Sequence, residues 1–142
     1  SSDLIGDIPN GIAYLSADHT NNSLFLFADN FAVSSGISYN NIKVTGDYTV
    51  LVNDYYIAID NTSAATTVTL PPISSVPNGK TYIIKRYDNT STGDVTIDVD
   101  SSGTIQDPST GAFGSSVMLG NFGSPRYKIT VVSNGASWEV VQ

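Results

Sequence analysis

The chain has 142 residues, 40% of them hydrophobic and 13% charged, with thirteen acidic residues against six basic ones and a net charge of −7. That balance excludes a nucleic-acid binder, which needs a basic stripe to neutralise phosphates, and disfavours docking on anionic lipid. Cysteine is absent and His19 is the single histidine, so a disulfide scaffold, a thiolate or histidine-cluster metal site and a cysteine nucleophile are excluded, and little scope is left for a Ser-His-Asp triad.

The length suits one domain, or a small domain with an appendage. No apolar run approaches the roughly 18 residues that span a membrane, and no leader peptide is visible. The chain begins Ser-Ser-Asp rather than Met, which reads as a piece whose N-terminal side continues into a longer protein. Helix signals are nearly missing: Glu139 is the only glutamate, and no stretch repeats apolar residues at helical spacing. Short β-branched and aromatic runs instead alternate with Gly, Asn, Asp, Ser and Pro clusters, which predicts an all-β chain, with an antiparallel β-sandwich as the default architecture.

In chain order, strands are expected at 11–15, 23–27, 36–39, 43–45, 48–52, 55–60, 66–70, 80–86, 94–99, 116–119, 127–132 and 137–141. Residues 1–45 hold short fragments separated by Asn and Ser clusters and would bury little alone. They read as an extended lead-in, and 46–142, with the longer strands and most of the Val and Ile, as the compact domain. The run at 66–70 meets Pro71-Pro72; proline cannot donate to a ladder, so this strand ends there or lies at an edge. Pro77-Asn78-Gly79 suits a turn. Within 94–99 the alternation sends Val95, Ile97 and Val99 inward and Thr96 and Asp98 outward. Near the C-terminus, Asn134-Gly135 between two apolar runs is a hairpin signal, with Tyr127, Ile129 and Val131 on one face.

The series Gly46-Asp47-Tyr48-Thr49-Val50, Asp54-Tyr55-Tyr56-Ile57-Ala58-Ile59-Asp60, Thr67-Val68-Thr69-Leu70-Pro71 and Asn78-Gly79-Lys80-Thr81-Tyr82-Ile83-Ile84-Lys85 resembles the C-terminal region of phage tail fibres and related viral fibre proteins. It continues through Val95-Thr96-Ile97-Asp98, Gly103-Thr104-Ile105, Ile129-Thr130-Val131-Val132-Ser133-Asn134-Gly135 and Trp138-Glu139-Val140-Val141. The order and spacing of the blocks carry the likeness, over about 95 residues. Asn10-Gly11-Ile12-Ala13-Tyr14-Leu15, Asp29-Asn30-Phe31 and Ile37-Ser38-Tyr39-Asn40-Asn41 are similar to the short shaft motifs that precede such heads. The resemblance implies a homotrimer at the tip of a virion fibre. Three parallel chains would form a shaft and end in a β-sandwich head that meets a host-cell receptor, glycan or protein, with the rest of the fibre N-terminal to this piece. An enzyme would need a histidine, a nucleophile or an acid pair that the sequence places, and none is, so neither catalysis nor a cofactor is expected. A carbohydrate-binding module of a larger secreted adhesin or enzyme is the alternative, and oligomeric state separates the two.

Among candidate sites, Asp98-Val99-Asp100-Ser101-Ser102-Gly103 matches the opening of a calcium loop. Position twelve is Ser109 rather than Glu, so the stretch reads as a strand end and glycine turn, and no metal is expected. Asp94, Asp98 and Asp100 read as solvated acids rather than the paired carboxylates of a glycosidase. His19 reads as a loop histidine and Trp138 as a core or interface residue. Receptor contact is assigned to the loop groups Tyr87, Asp88 and Asn89, to Phe113, and to Asn121 and Phe122, with a plug in the trimer interface as the other reading of Phe113 and Phe122. These pair aromatic faces with amides on a rigid β scaffold, so binding is expected to rest on stacking and hydrogen bonds rather than charge.

Overall fold

The computed structural model of the chain describes residues 14–18, 23–27, 38–60, 64–87, 93–101, 103–120 and 127–141. Two compact units divide at Ser38 and Tyr39. In the first, β1 (Tyr14–Asp18) pairs antiparallel with β2 (Ser23–Phe27), Tyr14 opposite Phe27 and Asp18 opposite Ser23.

The described residues of the second unit are all-β apart from one 3₁₀ turn at Ile73–Ser75. Its strands are β3 (Asn41–Val44), β4 (Tyr48–Thr49), β5 (Tyr56–Ile59), β6 (Thr66–Leu70), β7 (Thr81–Arg86), β8 (Val95–Val99), β9 (Ile105–Gln106), β10 (Phe113–Gly114), β11 (Ser116–Leu119), β12 (Lys128–Ser133) and β13 (Trp138–Val141). They form a seven-stranded sheet in the order β10-β9-β13-β12-β7-β5-β3 and a four-stranded sheet in the order β11-β8-β6-β4. The unit starts earlier than the expected boundary after residue 45. The reason is β3, whose Ile42 and Val44 alternate inward and complete one edge of the larger sheet.

The sheets are mixed, not antiparallel as the sequence predicts. Strands β3, β5 and β7 run parallel in one sheet, and β4, β6 and β8 run parallel in the other. From β3 to β8 the chain places successive strands in alternate sheets. Parallel neighbours need a long crossover, commonly a helix; here the strand laid in the opposite sheet is that crossover. Strands adjacent in sequence are therefore not adjacent in space, and the hairpin assumption fails. Antiparallel pairing returns at β8–β11, β7–β12, β12–β13 and β9–β10. The 66–70 strand does end at Pro71, but it lies inside its sheet, between β8 and β4.

Both sheets bury one shared core. Register aligns Ile42, Ile57, Ile84 and Ile129 in a row across β3, β5, β7 and β12. In the smaller sheet Val68, Ile97 and Val117 align across β6, β8 and β11. Trp138 opens β13 fully buried, its ring 5.4 Å from that of Tyr82.

The β12–β13 turn spans Asn134 to Ser137. Asn134 Oδ1 accepts from the backbone N–H groups of Ala136 and Ser137, and Gly135 sits at φ +87°. A Cβ added there would meet only Asn78 Cγ at 3.9 Å, an ordinary contact. Backbone strain alone then sets the cost. Gly135→Ala should destabilise the protein by about 1–2 kcal/mol, read as a lowered thermal midpoint. An unchanged midpoint would show that this turn relaxes without penalty.

Candidate functional site

The strands β3, β5 and β7 begin at one end of the seven-stranded sheet, and their lead-in residues Asn40, Asp54 and Lys80 meet there. Asp54 is 1% exposed. Its Oδ1 accepts from Asn40 Nδ2 at 2.8 Å; its Oδ2 accepts from Tyr48 Oη at 2.7 Å and from the Leu51 N–H at 2.8 Å. The Asp54 N–H donates back to the Leu51 carbonyl at 3.1 Å, closing a turn. Lys80 Nζ donates to the Asp54 carbonyl at 2.8 Å and lies 4.8 Å from the Tyr82 ring centroid, while Tyr82 Oη donates to the Leu51 carbonyl at 3.2 Å. A buried carboxylate needs such partners, because leaving its oxygens unpaired would cost several kcal/mol.

This network holds a shape rather than a reactive group, since donors occupy both carboxylate oxygens. The shape is the turn 51–54, whose Leu51 and Val52 stay exposed, Leu51 at 55%. Tyr39, also exposed, stacks on Tyr55 at 4.1 Å with 22° between planes. The Asn40–Asp54 bond ties these two tyrosines' segments to the turn. One end of the unit thus presents Tyr39, Leu51 and Val52 on a rigid support.

Burial and the hydrogen bond to Asp54 push the Tyr48 hydroxyl up to about 12, and burial raises Tyr82 as well. Burial lowers Lys80, with the Asp54 charge opposing the shift. A tyrosine whose folded value lies above the unfolded value of about 10 contributes stability at lower pH and loses it as pH rises through the folded value. Thermal midpoints should therefore fall between about pH 10 and pH 12, with tyrosinate absorbance appearing as the network opens. Midpoints flat across that window would contradict a neutral Tyr48 donor.

Tyr87 stands at the other end of the same sheet. It follows β7, its N–H donates to the Ile59 carbonyl at 2.7 Å, and it is 57% exposed. Lys43 Nζ lies 4.3 Å from its ring centroid and 2.7 Å from Asp60 Oδ2, a hydrogen bond that raises the Lys43 pKa. Phe113, read from sequence as a loop aromatic, instead forms the two-residue edge strand β10 opposite Gln106, and it is 50% exposed. Four strand spacings separate β10 from β7, about 19 Å. Tyr87 and Phe113 therefore stand on separate parts of the sheet. Asp88, Asn89, Asn121, Phe122 and His19 lie outside the described residues.

The stretch 98–109 is not one loop. Asp98 is on β8, Asp100 accepts from the Gly103 N–H in a turn, and β9 intervenes before Asp107 takes the Ser109 N–H and hydroxyl. Among the described residues, no three His, Asp or Glu side chains gather as metal ligands.

Sequence reasoning missed the Asp54 cluster. Its local signal is Asn53-Asp54 before an aromatic run; its partners Asn40, Tyr48 and Lys80 come from separate segments. No protein-family model matches the chain, and no curated protein does.

Proposed function

We propose that the chain is the head of a viral or phage fibre, a β-sandwich that attaches the virion to a host-cell surface receptor as a homotrimer. The observation that carries this reading is the set of large apolar side chains left exposed at strand edges and loop tips. Phe113 lies on edge strand β10 and Met118 on edge strand β11, and Tyr39, Leu51 and Val52 crown one end. Exposed apolar edges invite pairing with another chain, and proteins that keep them use them for contact. The serial likeness of the sequence blocks to fibre heads supports the same reading. The first unit, with β1 and β2, would then belong to the shaft side, and Tyr87 to the receptor-facing surface.

Light scattering tests the assembly. A trimer of 15.0 kDa chains should weigh about 45 kDa, three times one chain, whereas a single-chain mass would favour a carbohydrate-binding module. Attachment is tested separately. Tyr87 is exposed and lies outside the core cluster, so Tyr87→Ala should weaken binding to host cells while leaving mass and melting midpoint unchanged. Normal attachment by that variant would remove Tyr87 from the contact surface.

A further inference from the structure

The outer face of the seven-stranded sheet carries an arrangement that the attachment reading does not use. Register places Lys43, Ala58, Lys85 and Lys128 side by side across β3, β5, β7 and β12. They point away from the core, because their neighbours Ile42, Ile57, Ile84 and Ile129 fill the inner face. The chain has only six cationic residues against thirteen acidic ones. Arg86 is buried in the core and Lys80 is committed to the Asp54 carbonyl. The remaining described cations all stand in this one row, about 14 Å long over three strand spacings.

Two of them face each other directly. The Arg86 N–H donates to the Tyr127 carbonyl, which makes that pair the hydrogen-bonded one. The next pair, Lys85 and Lys128, then falls at the position without ladder bonds, where side chains come closest, with Cβ atoms roughly 4.5–5.5 Å apart. Like charges directly opposite are destabilising. Among the described residues neither lysine is seen paired with a carboxylate: Lys43 pairs with Asp60, and Lys85 instead lies 5.8 Å from the Tyr127 ring. Two of the chain's few cations thus stand opposite each other, and a bound anion would offset their repulsion.

The surroundings narrow the anion. Two residues along the strands, Tyr56, Ile83 and Thr130 form the next outer row, half-buried. Tyr87 and Tyr127 border the lysine row at its end. Tyrosine rings, a hydroxyl and ammonium groups on or beside one sheet face suit a sugar ring that bears a carboxylate. Nucleic acid would need more phosphate contacts than three lysines supply, in a chain whose remaining charge repels it. An acidic peptide would gain most from a sheet edge, where its main chain can pair, but Lys85 and Lys128 lie on interior strands.

We propose that the outer face of the seven-stranded sheet, along Lys43, Lys85 and Lys128, binds a carboxylated oligosaccharide. This rests on the attachment reading in taking a surface glycan as receptor, and it adds the glycan's charge class and the face that holds it. The net charge of −7 acts at long range and is screened within about 8 Å at physiological salt, so the local row decides.

The test is calorimetric titration of the 142-residue protein with tetragalacturonate and with its methyl ester, which keeps the rings and removes the charges. The acid should bind, more weakly as salt rises, and the ester should not. Lys85→Gln with Lys128→Gln should weaken binding by at least about tenfold, two charge-assisted hydrogen bonds being lost. The same double change should leave the melting midpoint unchanged or raised, since it removes facing charges; Lys128→Glu should fold and abolish binding. No binding of the acid, equal binding of the ester, full binding by a folded double variant, or equal binding of poly-glutamate would each overturn the proposal. Host-cell attachment separates the two readings. If the double variant attaches normally, the lysine site falls and the fibre reading stands. If the native protein binds tetragalacturonate but attaches to no bacterial or eukaryotic cell in a panel, the lysine site stands and the fibre reading falls.

Discussion

Replacing Asp54 by Ala should destabilise the protein by about 3 kcal/mol, because the donors it serves together lose a charged acceptor. Three are orphaned at once: the Tyr48 hydroxyl, the Asn40 amide and the Leu51 N–H. In a unit of this size such a loss lowers the melting midpoint by about 10–20 °C. Asp54→Asn separates charge from shape. It keeps the volume but offers one acceptor oxygen where the native side chain offers two, so it should fall between Ala and the native residue. Local consequences should exceed global ones, because the turn 51–54 loses its anchor. Hydrogen exchange at Leu51 and Asp54 should then accelerate more than exchange within β7. A midpoint within about 1 °C of native would mean the cluster is satisfied by water once the carboxylate is gone.

Trp138→Ala should cost about 3–5 kcal/mol, the range for emptying a large aromatic from a packed core. The residue joins three elements. Its ring tilts against Tyr82 of β7, its N–H donates to the Thr104 carbonyl beside β9, and it sits opposite Ser133 of β12. Losing the side chain opens a void where β9 meets β13, and that junction rests on a single register pair, Trp138 with Ile105. The short strands β9 and β10 should therefore loosen first. Trp138→Phe fills part of the space and should cost less than half as much. As the only tryptophan, Trp138 also reports on the native state: its buried ring should fluoresce blue-shifted and shift red on unfolding. Native emission already at the solvent-exposed wavelength would contradict its burial.

The all-β class was legible because it needs only local information. Alternation in Val95–Val99 and the Asn134-Gly135 turn state a strand and a reversal within a few residues. Pairing direction was not legible, since inward and outward alternation is identical in parallel and antiparallel strands. A register such as Ile57 beside Ile84 depends on what the intervening chain does in the other sheet. Ile105–Gln106 and Phe113–Gly114 are too short to show any period. The candidate site divides the same way. Tyr87, an aromatic among polar turn residues, announces its exposure from sequence alone. Asp54 looks like any turn aspartate until Asn40, Tyr48 and Lys80 are brought to it. The lysine row is invisible in sequence, because its members are 42 and 43 positions apart and meet only through register.

The alternation of strands between sheets also sets how this fold can change length over evolutionary time. Each turn of the winding lays one strand in each sheet, and both sheets end on the same first turn, at β3 and β4. Duplicating a whole turn adds one strand to each sheet and leaves every existing register intact. Inserting a single strand would shift each later strand into the wrong sheet and exchange core faces for outer ones. Viable length variants are thus quantised in pairs of strands, and the edge formed by β3 and β4 is where such growth leaves the lysine row and the Trp138 junction least disturbed.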